Sequence, residues 1–180
     1  LRAVADAETF VRLGLTEWRR VERLFREIEQ DNRLILQAAG EGIYGVNADG
    51  NTTFVNPAAQ RMLGYSASEM VGQRTPAIIH DPVEVADRAR ELSEELGHKV
   101  QPGFEVFTAK VLDGGSDERE WSYIRKDGSR FPVELSVTAL RDDTGAVTGF
   151  LGIASDITER KRVERMKNEF IATVSHELRT

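Results

Sequence analysis

The residues best suited to chemistry form one run near the end of the chain, Phe170-Ile171-Ala172-Thr173-Val174-Ser175-His176-Glu177-Leu178-Arg179-Thr180. No Pro or Gly interrupts it, and its apolar residues recur at helical spacing. At about 100° per residue, Met166, Phe170, Ile171, Val174 and Leu178 gather on one side of a helix while His176 falls on the other. An imidazole held toward water by a buried stripe is reachable by a nucleotide carried on another domain. Glu177 beside it can take its proton as it attacks phosphorus. The plainer alternative is a surface histidine on a dimerising helix.

The complete run F-x-A-x-x-S-H-E-L-R-T resembles the H-box of sensor histidine kinases. The resemblance implies that His176 is a phosphoacceptor, that Glu177 is the general base assisting its phosphorylation, and that Thr180 orients water when phosphate is removed from a response regulator. That family continues with Pro-Leu, a second helix and an ATP-binding domain. The chain is therefore expected to be a piece of such a kinase, inactive alone, whose parent protein supplies the ATP-binding domain and meets the response regulator.

Composition narrows the remaining possibilities. Over 180 residues, 30% are charged and 40% hydrophobic, a globular balance with a solvated helical component. The net charge of −6 argues against a nucleic-acid surface. Arg160-Lys161-Arg162 reads as a solvated helix face rather than a phosphate site. The absence of cysteine excludes disulfides, thiolate metal centres and a flavin held by a cysteinyl adduct. The three histidines are scattered, and neither a nucleophile–base–orienter set nor a metal-ligand cluster stands out. No apolar run approaches the roughly 20 residues needed to cross a bilayer. The expectation is a cytoplasmic piece, attached to a membrane only through segments upstream.

These residues need elements to position them. Residues 1–36 read as one dimerising helix. Val4, Val11, Trp18, Phe25 and Asn32 recur every seven residues, as do Ala7, Gly14, Val21, Ile28 and Ile35. Sustained over about five heptads, this seam predicts a two-stranded coiled coil, with Asn32 setting register. Packing of the helix on its own domain is the alternative, through Leu13, Leu15, Leu24 and Leu34. Residues 37–156 then alternate strand and short-helix signals. Strands are predicted at 43–46 and 52–55 around Asp49-Gly50, and a helix from Pro57 to Leu63 capped by Asn56. A turn of helix follows over 66–71, an irregular stretch over 75–82, and a helix over 83–96. A further helix is predicted over 104–112 from the spacing of Phe104, Phe107, Thr108 and Val111. Strands at 118–125, 130–141 and 147–155 finish the domain, with Phe131, Val133, Leu135, Val137 and Ala139 on one buried face. Asp156 as N-cap and Glu159 at N3 form a capping-box pattern that starts a helix at Ile157, running over 157–180 into the His176 motif.

An α+β domain results, a sheet covered on one face by helices. It resembles a PAS domain. The likeness rests on Asp49-Gly50, Asn56-Pro57-Ala58, Leu63-Gly64-Tyr65, Glu69-Met70-Val71-Gly72, His80-Asp81, Arg125-Lys126-Asp127-Gly128 and Asp156-Ile157-Thr158-Glu159-Arg160. The resemblance implies a five-stranded antiparallel sheet in the order 2-1-5-4-3, with helices walling a pocket against it. Candidate pocket residues are Tyr44, Phe54, Met62, Phe107, Trp121, Tyr123, Leu135 and Ile153. No cofactor is named by the sequence. Haem is disfavoured because the 83–96 helix lacks the axial His that haem-binding relatives carry, His98 falling just past Gly97, while His80 matches a structural turn position.

Two functional readings follow. In the first, the PAS domain perceives or relays a signal through coiled-coil helices to His176 in a parallel homodimer, with Asp156, Ile157, Thr158 and Glu159 coupling sheet to helix. In the second, it binds no small molecule and serves as a dimerisation and protein-docking module relaying a signal from upstream, through an outer sheet face carrying Leu140 and Phe150. An independent enzyme is disfavoured.

Overall fold

Free of proline and carrying a single glycine, the first segment forms one helix, α1 (Arg2–Ala38). The computed structural model describes residues 2–73, 76–112 and 116–178, so Thr180 and Arg179 of the motif lie outside the described residues, as do Thr75 and 113–115. The side chains of Val4, Ala7, Val11, Leu13, Gly14 and Leu15 also fall outside them. Along the rest of the predicted seam, Trp18, Val21, Phe25, Ile28 and Ile35 are 59–66% exposed. The chain divides into two units, Leu1–Ala38 and Ala39–Thr180.

The second unit begins with a hairpin of β1 (Gly42–Asn47) and β2 (Thr52–Val55). Its turn is closed by the Asn47 side chain, whose Oδ1 accepts the Asp49 and Asn51 N–H groups at 3.1 and 2.9 Å. Gly50 sits in that turn at φ 84°, a region that costs side-chain-bearing residues energy. Asn56 then does two jobs. Its Oδ1 caps α2 (Pro57–Leu63) through Ala59 N–H at 2.8 Å and also accepts Ile43 N–H at 2.9 Å, fixing the helix to β1. After α3 (Ala67–Met70) and a 3-10 turn (Pro76–Ile79), Asp81 caps α4 (Pro82–Leu96) by accepting Val83 N–H at 2.8 Å.

The helix expected over 104–112 is one turn only, α5 (Glu105–Thr108). Three of the four helix-spaced side chains do enter the core, since Phe107, Thr108 and Val111 are buried, and Phe104 packs partly buried against it. Beyond Thr108, however, its carbonyl accepts both Val111 and Leu112 N–H, so the backbone tightens into turns instead of extending the helix.

β3 (Ser116–Ile124), β4 (Arg130–Arg141) and β5 (Val147–Asp156) complete a five-stranded antiparallel sheet in the order β2-β1-β5-β4-β3. Alternation along β4 sends Phe131, Val133, Leu135 and Val137 into the core beneath the helices. Each such buried side chain contributes about 1.5–3 kcal/mol. Phe150 belongs to this inner face too, not to the outer one. It pairs with Val46 and Ala139 and is buried, whereas Leu140, opposite Gly149, is 40% exposed. The reason lies in β5, whose inner residues include the small Gly152 and Ala154 while the bulkier Leu151 and Ile153 point outward. Side-chain size along that strand therefore favours the wrong parity. From β5 the chain passes through Ile157 into α6 (Thr158–Glu177).

Candidate functional site

Between the sheet and α5 lies a small apolar cavity lined by Tyr44, Val46, Phe104, Phe107, Leu135, Val137, Phe150 and Gly152. Its volume is about 20 Å³, room for about one water molecule. A Cβ on Gly152 would stand 2.6 Å from Tyr44 Cζ, so only glycine lets the tyrosine ring lie against the strand. The Phe104 ring closes the opposite side, packed edge-to-face on Phe150 at 5.5 Å and against Gly50.

Of the predicted pocket residues, Tyr44, Phe107 and Leu135 line this cavity. Phe54 and Ile153 lie on the outer face, Phe54 over Gly45 and Ile153 opposite Ile43. Met62 approaches Gly42 from α2. Trp121 and Tyr123 are buried further along the inner face, around His80. Val137 shares the buried face of β4 predicted from alternation, whereas the inner-face positions of Val46, Phe150 and Gly152 depend on the parity of β1 and β5, and that of Phe104 on the fold of the α5 segment over the sheet.

His80 is the electrostatic oddity of this core. It is 2% exposed, and its ring centroid lies 4.3, 5.0 and 4.6 Å from those of Phe107, Trp121 and Tyr123. Neither ring nitrogen has a hydrogen-bond partner among the described residues. Burial disfavours the imidazolium and pushes its pKa down to about 3. Tyr44 and Tyr123 share a hydroxyl–hydroxyl bond of 2.8 Å, and burial raises both phenols above their ordinary range. Nearby, the buried Arg88 guanidinium joins Glu91 at 3.0 Å and Glu95 at 3.2 Å, and Arg119 also holds Glu91, whose carboxyl is pushed down to about 2. Among the described residues no three His, Asp or Glu side chains gather as metal ligands.

The junction of sheet and α6 differs from the expected capping box. Asp156 is still a strand residue, paired with Val133, and the helix starts one residue later than predicted. Its Oδ1 accepts the Thr158 N–H at 2.9 Å and the Thr158 hydroxyl at 2.5 Å, while Arg125 approaches Oδ2 at 3.8 Å. Glu159 pairs along its own helix with Arg162 at 3.7 Å. Ile157 is 4% exposed and donates its N–H to Pro132 carbonyl, pinning the junction to the core. Arg160 and Lys161, expected to be merely solvated, pair with carboxylates on the sheet: Arg160 with Glu134 at 2.9 Å and Glu120 at 3.4 Å, Lys161 with Glu120 at 2.5 Å.

No side chain of α6 is buried. Met166, Phe170, Ile171, Val174 and Leu178 form the predicted stripe, all exposed in the single chain. His176 and Glu177 are exposed in the last turn of the helix. No helix among the described residues is long and apolar enough to cross a membrane.

A sheet in this order, with helices packed on one face around a small cavity and a helix leaving the last strand, defines a PAS fold. A family model for the PAS domain matches residues 40–159, and the chain belongs to that family. It is similar to the sensor protein kinases WalK of Staphylococcus haemolyticus, 26% identical over 166 residues, and of Staphylococcus aureus, 26% identical over 165. Each match covers 90% of this chain but only 23% and 34% of the relative, so the chain spans at most about a third of these proteins. Among solved structures, the PAS domain of an HTR-like protein from Haloarcula marismortui superposes with a TM-score of 0.54 at 24% identity, covering 77% of this chain and 99% of that one. A sensory signalling role follows from the family and these relatives.

Proposed function

We propose that this chain is the signal-input and transmission part of a two-component sensor histidine kinase. The PAS domain perceives or relays a signal, and α6 carries it to His176, the phosphoacceptor. Glu177 acts as general base, and Thr180 positions water when the partner response regulator is dephosphorylated. The observation that carries this reading is continuity: α6 runs unbroken from the junction below β5 to the turn bearing His176. The WalK relatives, kinases by name, extend the likeness over 90% of the chain. In this reading the ATP-binding domain belongs to the longer parent protein, and the response regulator is that protein's partner. The exposed stripes on α1 and α6 suit a parallel homodimer, in which each stripe meets its copy. We assign the domain to the cytoplasm, with any membrane anchor outside this sequence.

A second reading of how the signal enters is favoured by one observation, the cavity of about 20 Å³. In that reading the PAS domain binds no small molecule and relays, by dimerisation and docking, a signal received upstream.

The direct test uses the longer protein that includes its ATP-binding part. After incubation with ATP, phosphopeptides handled at neutral to alkaline pH should carry phosphohistidine at position 176, and His176→Gln should abolish labelling. Phosphate mapped elsewhere, or labelling retained in that variant, would sink the proposal. An absorption spectrum of the purified chain, with mass spectrometry of a denatured extract, separates a ligand-bound sensor from a ligand-free relay.

A further inference from the structure

On the outer side of the sheet two carboxylates face each other. Glu120 of β3 stands directly opposite Glu134 of β4 in the antiparallel register. Like charges at directly opposed positions repel, so this pair weakens the sheet edge unless a cation answers it. The cations come from the first turns of α6. The Arg160 guanidinium bridges the pair, donating to both Glu134 oxygens at 2.9 and 3.3 Å and to Glu120 Oε1 at 3.4 Å. Lys161 Nζ lies 2.5 Å from Glu120 Oε2. The hydrogen bond from Arg160 holds the Glu134 carboxyl below its ordinary range, and the same bond raises the Arg160 pKa. Arg162, next in sequence, turns away toward Glu159 of its own helix.

The remaining attachments of α6 act at its root. Ile157 is buried one residue before the helix, and Asp156 ties down only the first turn. A buried root alone is a pivot: it fixes where the helix starts but not where it points. From Thr158 onward α6 buries no side chain that could aim it.

We infer that Glu120, Glu134, Arg160 and Lys161 form a charge clamp that sets the direction in which α6 leaves the sheet, and that these four are positioning residues for the helix bearing His176. Its consequence for signalling rests on the proposed role of α6; the geometry does not. At 1.5 Å per residue His176 lies about 27 Å from the start of the helix, so a tilt of roughly 10° displaces it by about 5 Å. Exposed ion pairs are individually weak and screened by salt, which lets a clamp of this kind yield without unfolding the sheet.

The test exploits the absence of native cysteine. Spin labels at Thr138→Cys on the outer face of β4 and Ala172→Cys on α6 report helix direction by pulsed electron resonance. The labelled chain is diluted into excess unlabelled chain so that distances within one copy are read. The native pair should give one narrow distribution. Glu120→Gln with Glu134→Gln, and separately Arg160→Gln with Lys161→Gln, should each broaden or shift it by roughly 4 Å, the displacement of residue 172 for the same tilt. The charge-swapped chain, Glu120→Lys and Glu134→Arg with Arg160→Glu and Lys161→Glu, should restore the narrow distribution. Unchanged distances in both glutamine pairs, or failure of the swap to restore them in a chain with native circular dichroism, would overturn the clamp. Neither result depends on phosphate reaching His176, so failure of this inference and failure of the kinase reading are told apart.

Discussion

Replacing His80 with leucine should flatten the acid limb of the protein's stability curve. The imidazole is buried among Phe107, Trp121 and Tyr123 with no hydrogen-bond partner among the described residues, and its folded pKa is pushed down to about 3. An unfolded chain binds that proton below about pH 6.5, whereas the folded one refuses it until pH approaches 3. The unfolded state therefore holds more protons across this window. Stability is complete above pH 6.5 and falls as pH drops, by about 1.4 kcal/mol per unit once the unfolded imidazole is charged. Between pH 6.5 and 4.5 the loss should reach about 2 kcal/mol. Below that, Glu69 and Glu91, held to about 2 chiefly by Lys126 and Arg119, begin to lose their own contributions, so the upper window isolates His80. The assay is urea unfolding at stepped pH in a Trp18→Phe background, leaving Trp121 as the sole indole, its ring 5.0 Å from His80. The native chain should lose stability across this window, and His80→Leu should remove that slope with little cost at pH 7, because it deletes buried polar atoms that made no bond. His80→Phe provides a second apolar replacement. Parallel curves for the native chain and either folded variant between pH 6.5 and 4.5 would refute the reasoning.

Gly152→Ala should cost about 1–3 kcal/mol, because the new Cβ meets the Tyr44 ring at 2.6 Å and forces it off Tyr123; an unchanged urea midpoint would contradict this. Asp156→Ala removes the acceptor for Thr158 and should cost the first turn of α6 about 1 kcal/mol, read as faster amide exchange over the helix start. In the longer protein the same substitution should uncouple phosphorylation from the signal, and unchanged signal dependence would count against the coupling role of this residue. Sedimentation should find a dimer, held by the exposed stripes of α1 and α6; a monomer at high micromolar concentration would contradict it.

What was legible in the sequence follows from how local each cue is. Asn56-Pro57, the turn around Asp49-Gly50 and the alternation in β4 each decide structure within a few residues, and the structure has α2, β2 and β4 at the predicted bounds. The strand order is implied by family likeness alone, since antiparallel pairing between distant segments leaves no mark in local spacing. Phe150 shows where periodicity alone misleads: β5 is apolar on both faces, and size points to the wrong one. The cavity lining inherits that difficulty, because it depends on parity and on a loop-borne Phe104. The Asp156 pattern was visible as a helix start, yet the preceding strand extends to Asp156 and claims its backbone. Arg160 and Lys161 look like any solvated basic run until β3 and β4 bring Glu120 and Glu134 beneath them.

The most direct test of signal passage through a continuous α6 is to change the helix phase between the sheet and His176 in the longer protein. Seven helix-forming residues inserted after Glu164 turn the tip by only about 20°, whereas two residues turn it by about 200°. With phosphorylation of His176 as readout, the seven-residue insertion should preserve the response to the signal, and the two-residue insertion should abolish or invert it. A two-residue insertion that responds like the native protein would contradict the account.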